Sequence, residues 1–82
     1  MEIRQLKYFI TLAEMQNFTK ASKAMFITQP TLSQQIQALE SELCVELFTR
    51  SNRGVILTDA GQVLYQEAGK VMRQYEKCIQ VM

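Results

Sequence analysis

The chain has 82 residues, with nine Lys or Arg, eight Asp or Glu and no His, which gives a formal net charge of +1 at pH 7. This length allows one small domain with a modest core, and a hydrophobic share of 48% is too high for a disordered chain. No apolar run approaches the ~20 residues needed to span a bilayer, and the amino-terminal residues lack the apolar segment of a signal peptide. We therefore expect a cytoplasmic protein that does not enter membranes.

Residues that support catalysis or metal binding are scarce. There is no His, Cys44 and Cys78 are far apart, and no Gly-rich phosphate loop or cluster of carboxylates occurs. An enzyme, a metal site or a bound cofactor is therefore not expected. We expect both cysteines to be buried small hydrophobic residues, with a redox sensor as the remaining chemical alternative.

Two helices are predicted at the start of the chain. Apolar residues at helical spacing predict the first over residues 3–16, with a role in supporting the core. After a break, Thr19 is a candidate N-cap for a short helix over residues 20–26. Its Lys20 and Lys23 lie three residues apart, where they would reach the backbone of a nucleic acid. The simpler alternative is a pair of solvated lysines.

The stretch from Thr28 to Leu43 predicts the helix around which the chain is organised. Thr28 is a candidate N-cap, and Pro30 suits the first turn because its missing N–H removes no internal hydrogen bond. Only Phe26 and Ile27 separate this helix from the one before, a layout typical of a helix-turn-helix. The predicted buried stripe consists of Leu32, Ile36, Leu39 and Leu43.

The opposite face of this helix carries amides and hydroxyls and no charge before Glu40. Such groups can hydrogen-bond to base edges or phosphates, so the face indicates contact with another surface; a Gln-rich solvated helix is the alternative. Residues 15–39 and 47–58 contain basic but no acidic residues, which indicates a local basic footprint without a high net charge. The face and its flanks comprise Pro30, Thr31, Ser33, Gln34, Gln37, Ala38 and Ser41.

Two short β-prone runs on either side of residues 51–54 predict a hairpin. Gly54 can supply a positive φ at no steric cost. Arg53, at the tip, is a candidate for entry into a narrow minor groove, whose negative potential attracts Arg. Arg50 is a candidate for a phosphate contact or an ion pair at the edge of the core. The alternative for either Arg is a residue that only keeps the loop soluble.

A last helix, capped by Thr58 or Asp59, is predicted to run to the end of the chain. Its apolar residues are spaced alternately four and three apart, and at ~22 residues it would extend about 33 Å. We expect its first turns to pack on the helix-turn-helix and its later turns to pair with a second copy. The alternative is a helix folded back entirely on its own domain. The predicted dimer residues are Leu64, Ala68, Val71, Tyr75, Cys78 and Met82.

Residues 17–61 closely resemble the amino-terminal DNA-binding domain of LysR-type transcriptional regulators of bacteria. The match includes Phe18-Thr19, Thr28-Gln29-Pro30, Leu47-Phe48 and Arg53-Gly54. The resemblance implies a mainly α fold: a winged helix-turn-helix over residues 1–57, with three helices and a two-stranded wing, followed by a linker and dimerisation helix over residues 58–82. It also implies a carboxy-terminal domain, absent from this chain, through which a small-molecule effector acts.

The implied function is sequence-specific binding of double-stranded DNA by a homodimer at an inverted-repeat promoter site. For full-length family members, a tetramer is the alternative oligomeric state. Gln34 and Cys44 depart from the family pattern, which frequently has Arg and usually has Gly there. The first departure leaves the base preference open, because Arg favours guanine and Gln favours adenine. We expect base or groove contacts from Gln29, Pro30, Thr31, Ser33, Gln34, Gln37 and Arg53, and phosphate contacts from Lys20, Lys23, Thr28 and Arg50.

One alternative belongs to another functional class. The last helix would be a coiled-coil adaptor, and the uncharged helix face would be a docking surface for a protein. Failure to bind random DNA at low salt would favour this protein-interaction module.

Overall fold

The computed structural model describes residues 1–82 as four helices and a two-stranded antiparallel sheet. The mainly α architecture, with three helices, a hairpin and a long last helix, confirms the predicted fold. None of the helices combines the length and the hydropathy that a membrane crossing requires. In chain order the elements are α1 (Ile3–Met15), α2 (Phe18–Ala24), α3 (Gln29–Leu43), β1 (Phe48–Ser51), β2 (Gly54–Leu57) and α4 (Asp59–Gln80).

The core lies between α1, α2 and α3 and is closed by the hairpin and the first half of α4. The rings of Phe9 and Phe48 lie 5.4 Å apart at 55°, a tilted aromatic pair that joins α1 to the hairpin. Apolar side chains from every element therefore share one core. The buried hydrophobic residues are Leu6, Phe9, Leu12, Ala21, Leu32, Ile36, Leu39, Leu47, Phe48, Val55 and Ala68.

Helix α2 begins two residues earlier than predicted. The side chain of Asn17 accepts a hydrogen bond of 2.8 Å from the backbone N–H of Lys20, so Asn17 is the N-cap and Thr19 lies inside the helix. The predicted Thr19 cap is wrong. Ser22 is buried, with its hydroxyl donating to the Thr19 carbonyl at 2.9 Å, and Ala24 is exposed.

Helix α3 begins as predicted and ends with a strained residue. The hydroxyl of Thr28 accepts from the backbone N–H of Thr31 at 3.3 Å, which confirms the cap. Cys44 follows the helix with a φ of 58°, in the left-handed region. Leu43 is 36% exposed, so the buried stripe ends at Leu39 and not at Leu43 as expected.

Both cysteines are exposed, and the prediction that they are buried is wrong. Cys44 follows the last residue of α3 as its C-cap. Cys78 lies in the distal turns of α4, beyond the part of that helix that packs on the core. Helical spacing identified an apolar stripe there, but no protein surface of this chain covers it.

The hairpin is anchored to the end of α1. Ser51 pairs with Gly54 across the turn, and Gly54 has a φ of 118°, which confirms its predicted positive φ. A Cβ at this position would lie 2.6 Å from the carbonyl oxygen of Gln16. That same oxygen accepts a hydrogen bond of 3.1 Å from the backbone N–H of Val55. Glycine is therefore required both by the backbone angle and by the close approach of α1.

Helix α4 is capped by Thr58, whose hydroxyl accepts from the backbone N–H of Gly61 at 3.0 Å. One of the six predicted dimer residues, Ala68, is 1% exposed and belongs to the core of the protomer, and Leu64 is partly buried against that core. The assignment of Ala68 to a dimer surface is corrected, because the first half of the helix covers its own domain, and the assignment of Leu64 stays a prediction. The other four, Val71, Tyr75, Cys78 and Met82, are exposed.

A polar contact joins α4 to α1. The hydroxyl of Tyr65 donates to a carboxylate oxygen of Glu14 at 3.0 Å. This hydrogen bond raises the pKa of Tyr65 above its ordinary value, and desolvation and the charge of Glu14 act in the same direction.

Candidate nucleic-acid interface

The outward face of α3 is uncharged, and most of its side chains are amides or hydroxyls that can form hydrogen bonds. Gln29, Pro30 and Thr31 are exposed at its start and Gln34 and Gln37 further along, whereas Ser33 is half-buried. The buried stripe fixes this orientation, because Leu32, Ile36 and Leu39 turn the opposite face to solvent. The exposed residues of the face are Gln29, Pro30, Thr31, Gln34, Gln37, Ala38 and Ser41.

The start of α3 carries a network of side-chain hydrogen bonds. Thr28 accepts from the backbone of Thr31 and donates its own hydroxyl proton to the Thr31 hydroxyl at 2.7 Å. The hydroxyl of Thr19 donates to the side-chain carbonyl oxygen of Gln29 at 3.2 Å, which links the first turns of α2 and α3. The side chains of Thr28, Gln29 and Thr31 are therefore held by neighbouring polar groups.

Four basic side chains surround this face without carboxylate partners. Lys20 and Lys23 are exposed on α2, and Arg50 and Arg53 are exposed in the hairpin. The two salt bridges of the chain, Met1–Glu42 and Glu67–Lys70, involve none of them. The first turn of α3 has no acidic residue, so the positive end of its dipole adds to the same potential. The combined field favours an anionic ligand.

Arg50 is held against α2 by an aromatic ring. Its guanidinium carbon lies 4.6 Å from the centroid of the Phe18 ring, a cation–π contact. Phe18 is the first residue of α2, so this contact places a positive charge beside the start of that helix. The structure shows no ion pair at Arg50, which corrects that part of the expectation. The guanidinium keeps all its donors for an outside acceptor.

The hairpin is fixed to α3 by the carboxylate of Glu40. One oxygen of this group accepts from the backbone N–H groups of Leu47 and Phe48, at 2.7 and 3.4 Å. Arg53 lies at the tip, where its backbone N–H donates to the Ser51 hydroxyl at 3.2 Å. The position of Arg53 relative to α3 is therefore set by a polar anchor at the base of the hairpin.

The sequence analysis missed three residues that organise this surface: Phe18, Thr19 and Glu40. Phe18 and Thr19 act through partners in other elements, which sequence spacing does not reveal. Glu40 appeared only as the first charge on the face of α3, although it anchors the hairpin. Recognising Asn17 as the cap of α2 would have placed Thr19 inside the helix and freed its hydroxyl for another partner.

The comparisons with known proteins agree with this geometry. The family model described as a bacterial regulatory helix-turn-helix protein of the lysR family matches residues 3–62. The regulator BudR of Klebsiella aerogenes is 50% identical over 72 residues, which cover 88% of this chain and 50% of BudR. The nitrogen assimilation regulatory protein nac of Escherichia coli strain K12 is 44% identical over 77 residues, which cover 94% of this chain and 25% of that protein.

A solved structure supports the same relationship. The DNA-binding domain of BenM in complex with catB site 1 DNA superposes with a TM-score of 0.95 at 42% identity, covering 99% of this chain and 91% of that one. The matched residues of this chain cover about half the length of BudR and about a quarter of the length of nac. Both relatives are named as regulators, and neither name describes an enzyme.

Proposed function

Because this chain belongs to the LysR family of bacterial helix-turn-helix transcription regulators, we propose that it binds promoter DNA sequence-specifically as a homodimer. Helix α3 would lie in the major groove and Arg53 in the minor groove. The single observation that carries this proposal is the exposed, uncharged hydrogen-bonding face of α3 with four unpaired basic side chains around it. The DNA complex of a domain of similar length supports duplex DNA as the partner.

We assign the contacts by chemistry. Amides and hydroxyls on α3 match the donors and acceptors of base edges, whereas ammonium and guanidinium groups match phosphates. Base or groove contacts would come from Gln29, Pro30, Thr31, Ser33, Gln34, Gln37 and Arg53. Phosphate contacts would come from Lys20, Lys23, Thr28 and Arg50.

The distal half of α4 supports the proposed dimer. Val71 and Ile79 are 44% and 60% exposed, although the apolar pattern of the helix continues through them. A second copy of the helix would cover this surface, and a two-fold dimer would bind half-sites in inverted orientation. Residues 1–57 would then be the DNA-binding unit and residues 58–82 the linker. A small-molecule effector would act in the cytoplasm through a further domain of the full-length regulator.

Selection of bound sequences from a random DNA pool tests the proposal, because it reports specificity, half-site spacing and symmetry together. On the selected site, Gln34→Ala should cost on the order of 1–3 kcal/mol, with little effect on random DNA. Lys23→Ala should weaken all sequences alike and lower the salt slope by about one.

Each of these variants is the control for the other, since both side chains are exposed and neither forms a side-chain hydrogen bond or salt bridge in the protein. Thermal melts should show that both variants keep the wild-type fold. An equal loss on random DNA for Gln34→Ala, or a changed base preference for Lys23→Ala, would contradict the assignment. A chain that binds no DNA at low salt would be a protein-interaction module instead.

A further inference from the structure

We propose that Thr19 is a positioning residue that makes the first residue of α3 a hydrogen-bond donor toward DNA. Thr19 would act through Gln29 and would not itself touch a base. The inference rests on the proposed DNA binding and specifies the chemistry of one contact. Gln29 would donate a hydrogen bond to an acceptor on the DNA. It would not form the pair of hydrogen bonds with adenine that a free Gln side chain favours.

The hydrogen bond between the two side chains sets the orientation of the amide. The Thr19 hydroxyl donates to Oε1 of Gln29 at 3.2 Å, so the carbonyl end of the amide faces α2. The amino end, with two N–H donors, has no partner in the protein and is exposed. Pairing with adenine requires both ends of the amide, one accepting from N6 and one donating to N7. Because the carbonyl end of the amide faces α2, the end that faces outward presents N–H donors.

The hydroxyl of Thr31, in the same turn, also has a donor directed outward. The Thr31 hydroxyl accepts a proton from the Thr28 hydroxyl at 2.7 Å, which leaves its own proton free to donate outward. Pro30, between them, contributes no N–H. Gln29 and Thr31 therefore both present donors, through hydrogen bonds to Thr19 of α2 and to Thr28, the N-cap of α3.

The surrounding charge stabilises this orientation in a complex. Rotating the amide by half a turn would point its carbonyl dipole at the duplex, whose phosphates carry negative charge. The positive end of the α3 dipole and the exposed Lys20 and Lys23 indicate that the duplex approaches here. The acceptors within this chemistry are purine N7, guanine O6, thymine O4 and phosphate oxygens.

The test compares Thr19→Val, which removes the hydroxyl and keeps the shape, with Thr19→Ser, which keeps the hydroxyl. Each is titrated against the selected duplex and against duplexes that lack one acceptor: 7-deazapurines remove N7, and methylphosphonates remove a phosphate oxygen charge. Wild type should lose about two- to tenfold in affinity at one such position in each half-site. Whether that position is a deazapurine or a methylphosphonate distinguishes a base acceptor from a phosphate.

Thr19→Ser should keep this sensitivity, whereas Thr19→Val should lose it. Gln29→Met, which has no donor, should lose the same sensitivity. If Thr19→Val is as sensitive as wild type, or if wild type requires the adenine amino group, the positioning role is wrong while DNA binding stands. If wild type selects no sequence at all, the proposed function fails instead.

Discussion

Three residues other than glycine have a left-handed backbone: Gln16, Phe26 and Cys44, with φ between 56° and 58°. Gln16 and Cys44 end α1 and α3, and Phe26 lies in the turn between α2 and α3 with 95% of its side chain exposed. For an L-residue this conformation costs about 1–2 kcal/mol, which glycine avoids. Individual residues thus carry the strain of the tight connections that set the angles between the helices.

Cys44→Gly should stabilise the domain by about 0.5–1 kcal/mol, because glycine adopts the left-handed cap conformation at lower cost. The higher conformational entropy of glycine in the unfolded chain offsets only part of this gain. Urea denaturation measures the difference. Cys44→Ala is the matched control, since alanine removes the thiol and keeps the steric penalty, and it should leave stability unchanged. An equal gain from Ala and Gly would show that the thiol, and not the backbone, is the source of the effect.

At the scale of elements, the hairpin is held by contacts from three helices. Glu40 of α3 and the Gln16 carbonyl at the end of α1 accept its backbone N–H groups. The backbone N–H of Thr58, the cap of α4, donates to the Leu47 carbonyl at 3.0 Å. The start of α4 also approaches closely at Gly61, where a Cβ would collide with the same carbonyl oxygen. The position of the hairpin relative to α3 is therefore determined by the packing of the whole domain.

Gly61→Ala should destabilise the domain by about 1–3 kcal/mol, because the backbone at Leu47 and the side chain of Leu57 leave no room for a methyl group. Gly69→Ala, later in the same helix, is the control. Its Cβ would meet only the flexible end of Arg73 at 3.4 Å, so it should stabilise the helix by about 0.5–1 kcal/mol. Thermal and urea unfolding of both variants measure these opposite changes in the free energy of unfolding. Destabilisation by both substitutions would indicate that α4 tolerates no added side chain.

At the scale of the whole molecule, the protein measures 44 × 26 × 20 Å, and the long dimension exceeds what the shared core occupies. The distal half of α4 packs on no core in this chain. Its apolar residues Val71, Tyr75 and Ile79 are therefore exposed. Tyr75 has a partial partner in Lys7, whose ammonium lies 5.5 Å from the centre of its ring. This exposed apolar strip is what we propose the second copy covers.

Val71→Glu should weaken the dimer by about tenfold or more, equivalent to about 1.4 kcal/mol, because an unpaired charge would enter an apolar interface. Sedimentation over a concentration series measures the change. Gln80→Glu adds the same charge on the opposite side of the helix, at 3.6 residues per turn, and should leave the dimer intact. Equal dissociation by both variants would point to charge repulsion in general, and no dissociation by either would place the interface elsewhere.

The sequence by itself determined the elements and most of their ends. The α3 stripe as far as Leu39, the Thr28 cap and the positive φ of Gly54 arise from interactions within a few residues, so local spacing was sufficient to predict them. The choice between Thr58 and Asp59 as the cap of α4 was left open. The resemblance carried by residues 17–61 was confirmed by the family match. The Thr19 cap was wrong because Asn17, two residues earlier, competes for the same role.

Only the tertiary structure decided which side chains are covered and which polar groups meet. The Leu64–Ala68 segment and the Cys78–Met82 segment share one apolar pattern, but the first packs on the core and the second does not, because the domain ends partway along α4. The Thr19–Gln29, Phe18–Arg50 and Glu40–Leu47 contacts join residues on different elements. Their existence depends on helix crossing angles and hairpin placement, which the spacing of residues along a chain does not specify.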